Sequence, residues 1–186
     1  MDQALVVRAQ QDDQRAFETL AAVVYARLYR LAHGILRDAT MADDATQQAL
    51  INIWRNLPRL REPSRFEGWC TRLLVNACHD QARRAPRWTS TDPSQIHEPM
   101  AHDGIGPVAD RVVLEQGLSR LSLDHRTVLA LRYLLELTPD EIADVLDIPR
   151  KTVYSRLQRA IASMRAALDA EARPALTRAV PSEANR

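Results

Sequence analysis

An all-α chain, built as two small helical domains joined by a flexible linker, is what this sequence predicts, on three observations. Apolar residues step by three and four along most of the chain, the period of an amphipathic helix. Only five Gly occur in 186 residues, and alternation of the strand type, bounded by turn residues, is hard to find. Two groups of helical segments are separated by APRWTSTDPSQIHEPMAHDGIGPVA, which is broken by prolines and has no sustained period.

The first helical segment is marked by Leu20, Val24, Leu28, Leu31 and Ile35 and ends near Arg37. A second runs from Met41 to Asn56, with Ala45, Ala49, Leu50, Ile53 and Trp54 on its apolar side. Pro58 and Pro63 punctuate the gap before a third, Arg65 to Arg84, which carries Phe66, Trp69, Leu73 and Ala77. Trp69 stands three residues after Phe66 and four before Leu73, a core spacing rather than that of an exposed platform, and Trp54 reads the same way. Between Pro86 and Val108, Arg87 is set against Asp92, Glu98 and Asp103, a net charge of −2. A loop so long is foreign to the inside of a compact domain, so the segment reads as an interdomain linker or a plain spacer.

Four shorter units follow: Asp110–Ser119, Leu123–Leu135, Pro139–Leu146 and Arg150–Leu168. TPDE opens the third. Thr138 suits the N-cap, Pro139 the first helical position, and Glu141 completes a capping box. Only Asp147, Ile148 and Pro149 separate the last two units, the connection of a helix-turn-helix. The final EARPALTRAVPSEANR reads as a frayed tail.

Composition narrows the function classes. Hydrophobic residues make up 46% and charged residues 26%, the mixture of a soluble globular protein. The net charge is +1, so any case for a nucleic-acid partner rests on how charge is distributed. Of the 25 basic residues, Lys151 is the one lysine, a bias that a GC-rich genome explains. Cys70 and Cys78, on one helix, would lie about 12 Å apart, beyond disulfide reach. The N-terminal MDQALVVRAQQDD lacks the pattern of a secretory signal, and no run of apolar residues is long enough to span a bilayer. A soluble, reduced, cytoplasmic protein with no membrane insertion is expected. His33, His79, His97, His102 and His125 are scattered without ligand or triad spacing, and no phosphate-cradling Gly loop occurs. Asp43 and Asp44, adjacent on a helix, point about 100° apart and make a poor metal pair. No catalytic residue, metal or cofactor is expected.

The stretch DIPRKTVYSRLQRA, Asp147 to Ala160, points to a partner. No acid follows Asp147 until Asp169. At about 100° per residue, Val153, Leu157, Ala160, Ile161, Met164 and Leu168 form one apolar stripe. Lys151, Thr152, Ser155, Arg156 and Arg159 take the opposite face, next to Arg150. Hydroxyls and a helix N-terminus suit phosphate oxygens, and arginine forks suit guanine edges in a major groove. A basic face is often no more than solvated surface. Here it lies on the second helix of a tight turn and contains no acid, which favours duplex DNA.

These residues carry a family resemblance. The segment LSRLSLDHRTVLALRYLLELTPDEIADVLDIPRKTVYSRLQRAIASMRAAL resembles region 4 of extracytoplasmic-function (ECF) sigma factors of RNA polymerase. Glu141, Ile142, Ala143, Leu146, Ile148, Pro149, Thr152, Val153, Ser155, Arg156, Leu157, Arg159 and Ala160 match its pattern. Lys151 stands where the family usually has Gly, and Ser122 where it usually has Pro. MADDATQQALINIW resembles region 2.2 through Asp43, Asp44, Gln47, Ile51 and Trp54, with Gln48 replacing the usual acid. FEGWCTRLLVNACHDQARR is similar to the following part of region 2 through Phe66, Trp69, Asn76, Asp80, Arg83 and Arg84.

The resemblance implies four parts: region 2 at 1–85, a linker at 86–108, region 4 at 109–170 and a tail at 171–186. It implies that Asp43, Asp44, Gln47, Gln48 and Asn52 dock on the clamp helices of core RNA polymerase. Arg65, Phe66, Arg72, Asn76, Asp80, Arg83 and Arg84 would hold the single strand of an opened −10 promoter element. Arg150, Lys151, Thr152, Ser155, Arg156 and Arg159 would read the −35 duplex, with region 4 leaning on the polymerase flap. An anti-sigma factor is a further expected partner. Two other classes remain open on the residues alone: a stand-alone helix-turn-helix regulator, and a polymerase-binding decoy or adaptor that reads no promoter.

Overall fold

The computed structural model describes residues 1–84, 114–115 and 117–178. The expected linker at 86–108 lies outside the described residues, among which no strand occurs.

Three aspartates start the first three helices. Asp2 caps α1 (Gln3–Gln10), Asp13 caps α2 (Gln14–Leu36) and Asp38 caps α3 (Ala39–Asn56). Each carboxylate accepts a backbone N–H of the first turn, from Ala4, Ala16 and Met41 at 2.9, 3.0 and 2.7 Å. A charged acceptor there satisfies an orphan donor and faces the positive end of the helix dipole. Two 3₁₀ turns, Leu57–Arg59 and Pro63–Arg65, lead into α4 (Phe66–Arg84).

In the C-terminal half, residues 114–115 and 117–119 are helical, followed by α5 (Leu123–Tyr133), α6 (Pro139–Leu146) and α7 (Arg150–Arg178). Ser122, the departure from the family's Pro, is the N-cap of α5 and accepts from the His125 N–H. The capping box of α6 forms in full: Glu141 accepts from Thr138 N–H at 2.8 Å, and Thr138 accepts in return. One expectation fails at the C-terminus. α7 runs ten residues past Leu168 to Arg178, so the expected tail is helical over its first half. LDAEAR, residues 168–173, is made largely of strong helix formers, which carry the helix past the last apolar stripe residue.

Packing joins the two halves. Leu20, Val24, Leu28, Leu31 and Ile35 of α2 are buried against α3 and α4. Ala42, Ala45 and Ala49 are the small residues through which α3 seats itself. In the C-terminal half, Val128 and Leu131 of α5, Ile142 of α6, and Val153 and Ala160 of α7 close a second bundle. α2 packs on α5 and α4 on α6, so the buried residues form one continuous cluster. Gly34 permits this approach: a Cβ there would lie 2.7 Å from Leu134 Cδ1 and 3.7 Å from Ala130 Cβ.

The aromatics depart from expectation in two places. Trp69 packs against the core as predicted, 6.3 Å from Phe66. Trp54 is 39% exposed, edge-on to Phe17 at 4.6 Å, because α3 turns that position outward. Phe66 is 1% exposed, so in this conformation its ring is a core residue and out of reach of a base. Phe66→Ala is therefore expected to cost about 3–5 kcal/mol in urea unfolding, the range for a buried ring left as a cavity. A loss below about 0.5 kcal/mol, the size of a surface effect, would contradict this placement.

Candidate nucleic-acid interface

The turn between α6 and α7 is built from backbone geometry. Asp147 adopts the left-handed conformation at φ 55°, which Asp tolerates better than most residues. The Ala143 carbonyl accepts from both Asp147 and Ile148 N–H, and Pro149 O accepts from Thr152 N–H at 2.8 Å. Val153, Leu157 and Ala160 are buried, which turns the opposite side of α7 outward.

That outward face is only partly as the sequence predicts. Lys151 and Arg159 are exposed. Arg150 is exposed too, paired with Asp140 at 2.9 Å and held over the Tyr154 ring 5.4 Å from its centroid. Tyr154 Oη accepts from Arg150 Nη2 at 3.1 Å. Arg156 is different: its side chain is 29% exposed and pairs with Asp124 at 2.7 Å. Thr152 and Ser155 are half-buried, and the Ser155 hydroxyl donates to Thr152 O at 3.0 Å. A wheel drawn for α7 alone does not contain Asp124, in the first turn of α5, which draws Arg156 inward. Lys151, in the first turn, and Arg159, further along, remain as open cations on this face, an arrangement suited to phosphate and base edges.

A second basic stripe lies on α4. Arg72, Asn76, His79 and Arg83 fall within about 60° of one another, with Arg65 in the turn just before. Asn76 and Arg84 are exposed, while Arg65 pairs with Glu62 at 2.7 Å and Arg83 with Asp80. Arg72 reaches across to Asp147 at 2.8 Å. His79 Nε2 lies 3.3 Å from Thr127 Oγ1, and burial holds its pKa below the ordinary 6.5. The same burial pushes the Cys70 and Cys78 thiols up to about 12, which makes them inert core residues.

A groove between α3 and α4 gathers the third set. Asp44, Gln47, Gln48 and Asn52 line it together with Asp80 and Arg84. Asp43 is held by Tyr25 Oη at 3.0 Å and Gln47 Nε2 at 2.7 Å, and Asn52 accepts from Gln48 at 3.2 Å. Gln81 of α4 donates to Asp44 at 2.9 Å, a positioning contact that sequence reasoning missed. No local spacing signals it, because its partner lies 37 residues away in the chain.

These elements define a helix-turn-helix protein with two further polar sites on an N-terminal helical bundle. Comparison with known proteins is more specific. The family model for Sigma-70 region 2 matches residues 20–88, and that for Sigma-70 region 4 matches residues 111–164. The chain is 31% identical to the RNA polymerase sigma-H factor of Pseudomonas aeruginosa, over 96% of this chain and 97% of that one. It is 31% identical to the ECF RNA polymerase sigma-E factor of Escherichia coli, over 95% and 97%. The solved structure of CnrH in complex with the cytosolic domain of CnrY superposes with a TM-score of 0.68 at 27% identity, covering 91% and 97% of the two chains. The chain belongs to the ECF RNA polymerase sigma factors. It is an alternative sigma factor, of a family of non-catalytic initiation factors, and binds core RNA polymerase and promoter DNA. A stand-alone regulator would have no use for the region 2 half. Among the described residues no helix is long and apolar enough to cross a membrane.

The His79 environment gives a pH dependence. Asp124 and Asp80 draw its pKa up, while burial, Arg83 and Arg156 hold it down, and burial dominates. A depressed folded pKa favours the neutral ring, so the stabilisation is complete above about 6.5 and is lost as pH falls through the lower folded value. Urea midpoints measured between about pH 7.5 and 5 should fall more steeply for the parent than for His79→Gln. Equal slopes would remove His79 from the packing account.

Proposed function

We propose that the chain divides promoter reading between its two halves as its three polar sites suggest. Residues 1–85 dock on the clamp helices through Asp43, Asp44, Gln47, Gln48 and Asn52. Their α4 stripe, Arg65, Arg72, Asn76, Asp80, Arg83 and Arg84, holds the non-template strand of an opened −10 element, with arginine charge along the phosphates and an amide for a base edge. Residues from 109 onward read the −35 duplex through α7 and rest on the flap. Lys151 and Arg159 make the first contacts, Arg150 joins on leaving Asp140, and Arg156, Thr152 and Ser155 join once Arg156 leaves Asp124. The segment 86–108 tethers the two readers, so two modest sites gain affinity by linkage. The protein works in the cytoplasm, and a partner that clamps both halves, an anti-sigma factor, holds it silent. CnrH, to which the chain is similar, was solved in complex with the cytosolic domain of a second protein, CnrY.

The observation that carries this reading is the open cationic face of α7, set opposite a buried stripe on the second helix of a tight turn. Transcription of genomic fragments by purified core polymerase plus this chain should yield discrete new transcripts and so supply its promoters. On such a promoter, the Arg156→Ala/Arg159→Ala chain in holoenzyme should bind more weakly. The slope of log affinity against log salt should fall by up to about 2, because each phosphate neutralised by an arginine releases about 0.9 counterion. An unchanged slope would count against α7 as the −35 reader.

A further inference from the structure

Lys151 differs from every other basic side chain of the protein. The rest of the 25 basic residues are arginine. Arginine also makes the side-chain ion pairs, Arg8 with Asp13, Arg72 with Asp147, Arg150 with Asp140 and Arg156 with Asp124. Lys151 pairs with no acid among the described residues and is exposed in the first turn of α7. A phosphate contact alone does not call for lysine there, since an arginine fork meets phosphate oxygens at least as well. What lysine offers and arginine lacks is a primary amine, able to shed its proton and accept an acyl group.

We propose that Lys151 is an acylation site, at which an acetyl group taken from an acyl phosphate neutralises an open cation of α7 and weakens its hold on the −35 duplex. The proposal rests on the reading of α7 as the −35 face. In the transfer the ε-ammonium gives one proton to water, and the amine then attacks the carbonyl carbon. The C–N bond forms as the C–O bond to phosphate breaks. Phosphate leaves with the electron pair and takes the second proton as hydrogen phosphate. Three features suit this position. No carboxylate holds the head group, whereas the N-terminal amine is engaged by Glu67 at 3.0 Å. The fold does not need the charge: a cation at a helix N-terminus opposes the dipole, and α7 is seated by Val153, Leu157 and Ala160 on its other side. The DNA face does need it. With Arg150 on Asp140 and Arg156 on Asp124, Lys151 and Arg159 are the cations that begin open, and acetylation removes the charge of one of them.

The test treats the full chain with acetyl phosphate, repurifies it and assembles it with untreated core polymerase. Affinity is then measured across a salt series on a promoter found by the transcription assay. Peptide mass mapping should place an acetyl group on Lys151. The acetylated holoenzyme should bind severalfold more weakly, with the slope of log affinity against log salt lower by up to about 0.9, the release from one phosphate contact. Lys151→Gln should match the acetylated chain. Lys151→Arg, which keeps the charge and offers no amine, should bind equally before and after treatment. Lys151 left unmodified by acetyl phosphate, or an acetylated chain with the affinity and slope of the untreated one, overturns the acylation site. A Lys151→Arg chain weakened by treatment to the same extent places the effect elsewhere and overturns it too. In each of these cases the −35 reading stands if Arg156→Ala/Arg159→Ala still lowers the slope. An unchanged slope in that double substitution overturns the reading of α7 and the acylation site with it.

Discussion

The close approach of α2 to α5 at Gly34 is the constraint on which the rest of this structure depends. α2 buries its stripe against α3 and α4 and then, near its C-terminus, meets the second bundle where a side chain would intrude. That meeting point sets the α6 turn against α4, brings Asp147 to Arg72, and places Asp124 and Thr127 beside His79. Asp147 then serves two ends: its left-handed backbone makes the helix-turn-helix, and its carboxylate ties that motif to the other half.

Much of the fold was legible in the sequence because local rules decide it. The stripe of α2, the capping box at Thr138 and the stop at Leu146 are periodicity and capping, and the structure places them as read. Local rules were less informed where α7 continues on good helix formers beyond its apolar stripe. They also missed what lies between elements far apart in the chain. Arg156 reads as outward on its own helix, yet a carboxylate from α5 turns it inward. Phe66 reads as a strand contact by its motif, yet burial against the bundle assigns it to packing. Gln81 escaped notice because its partner, Asp44, is 37 residues away.

Charge placement explains how a chain with a net charge of only +1 serves as a DNA-binding initiation factor. Cations line one face of α4 and one of α7, and carboxylates stand on the elements those faces meet. Arg72, Arg150 and Arg156 each hold an acid of the same chain. With promoter reading divided between the halves as proposed, specificity depends on linkage between two modest sites rather than on one strong one.

The most direct test of this account is the separation of the two halves in the free chain and in the complex with core polymerase and promoter. Spin labels at the exposed positions Arg30 and Glu136, on either side of the seam, would report it by dipolar spectroscopy. A single short distance in the free chain, replaced by a long one in the transcribing complex, is the predicted result. A long distance in the free chain, or the same short one in the active complex, would contradict it.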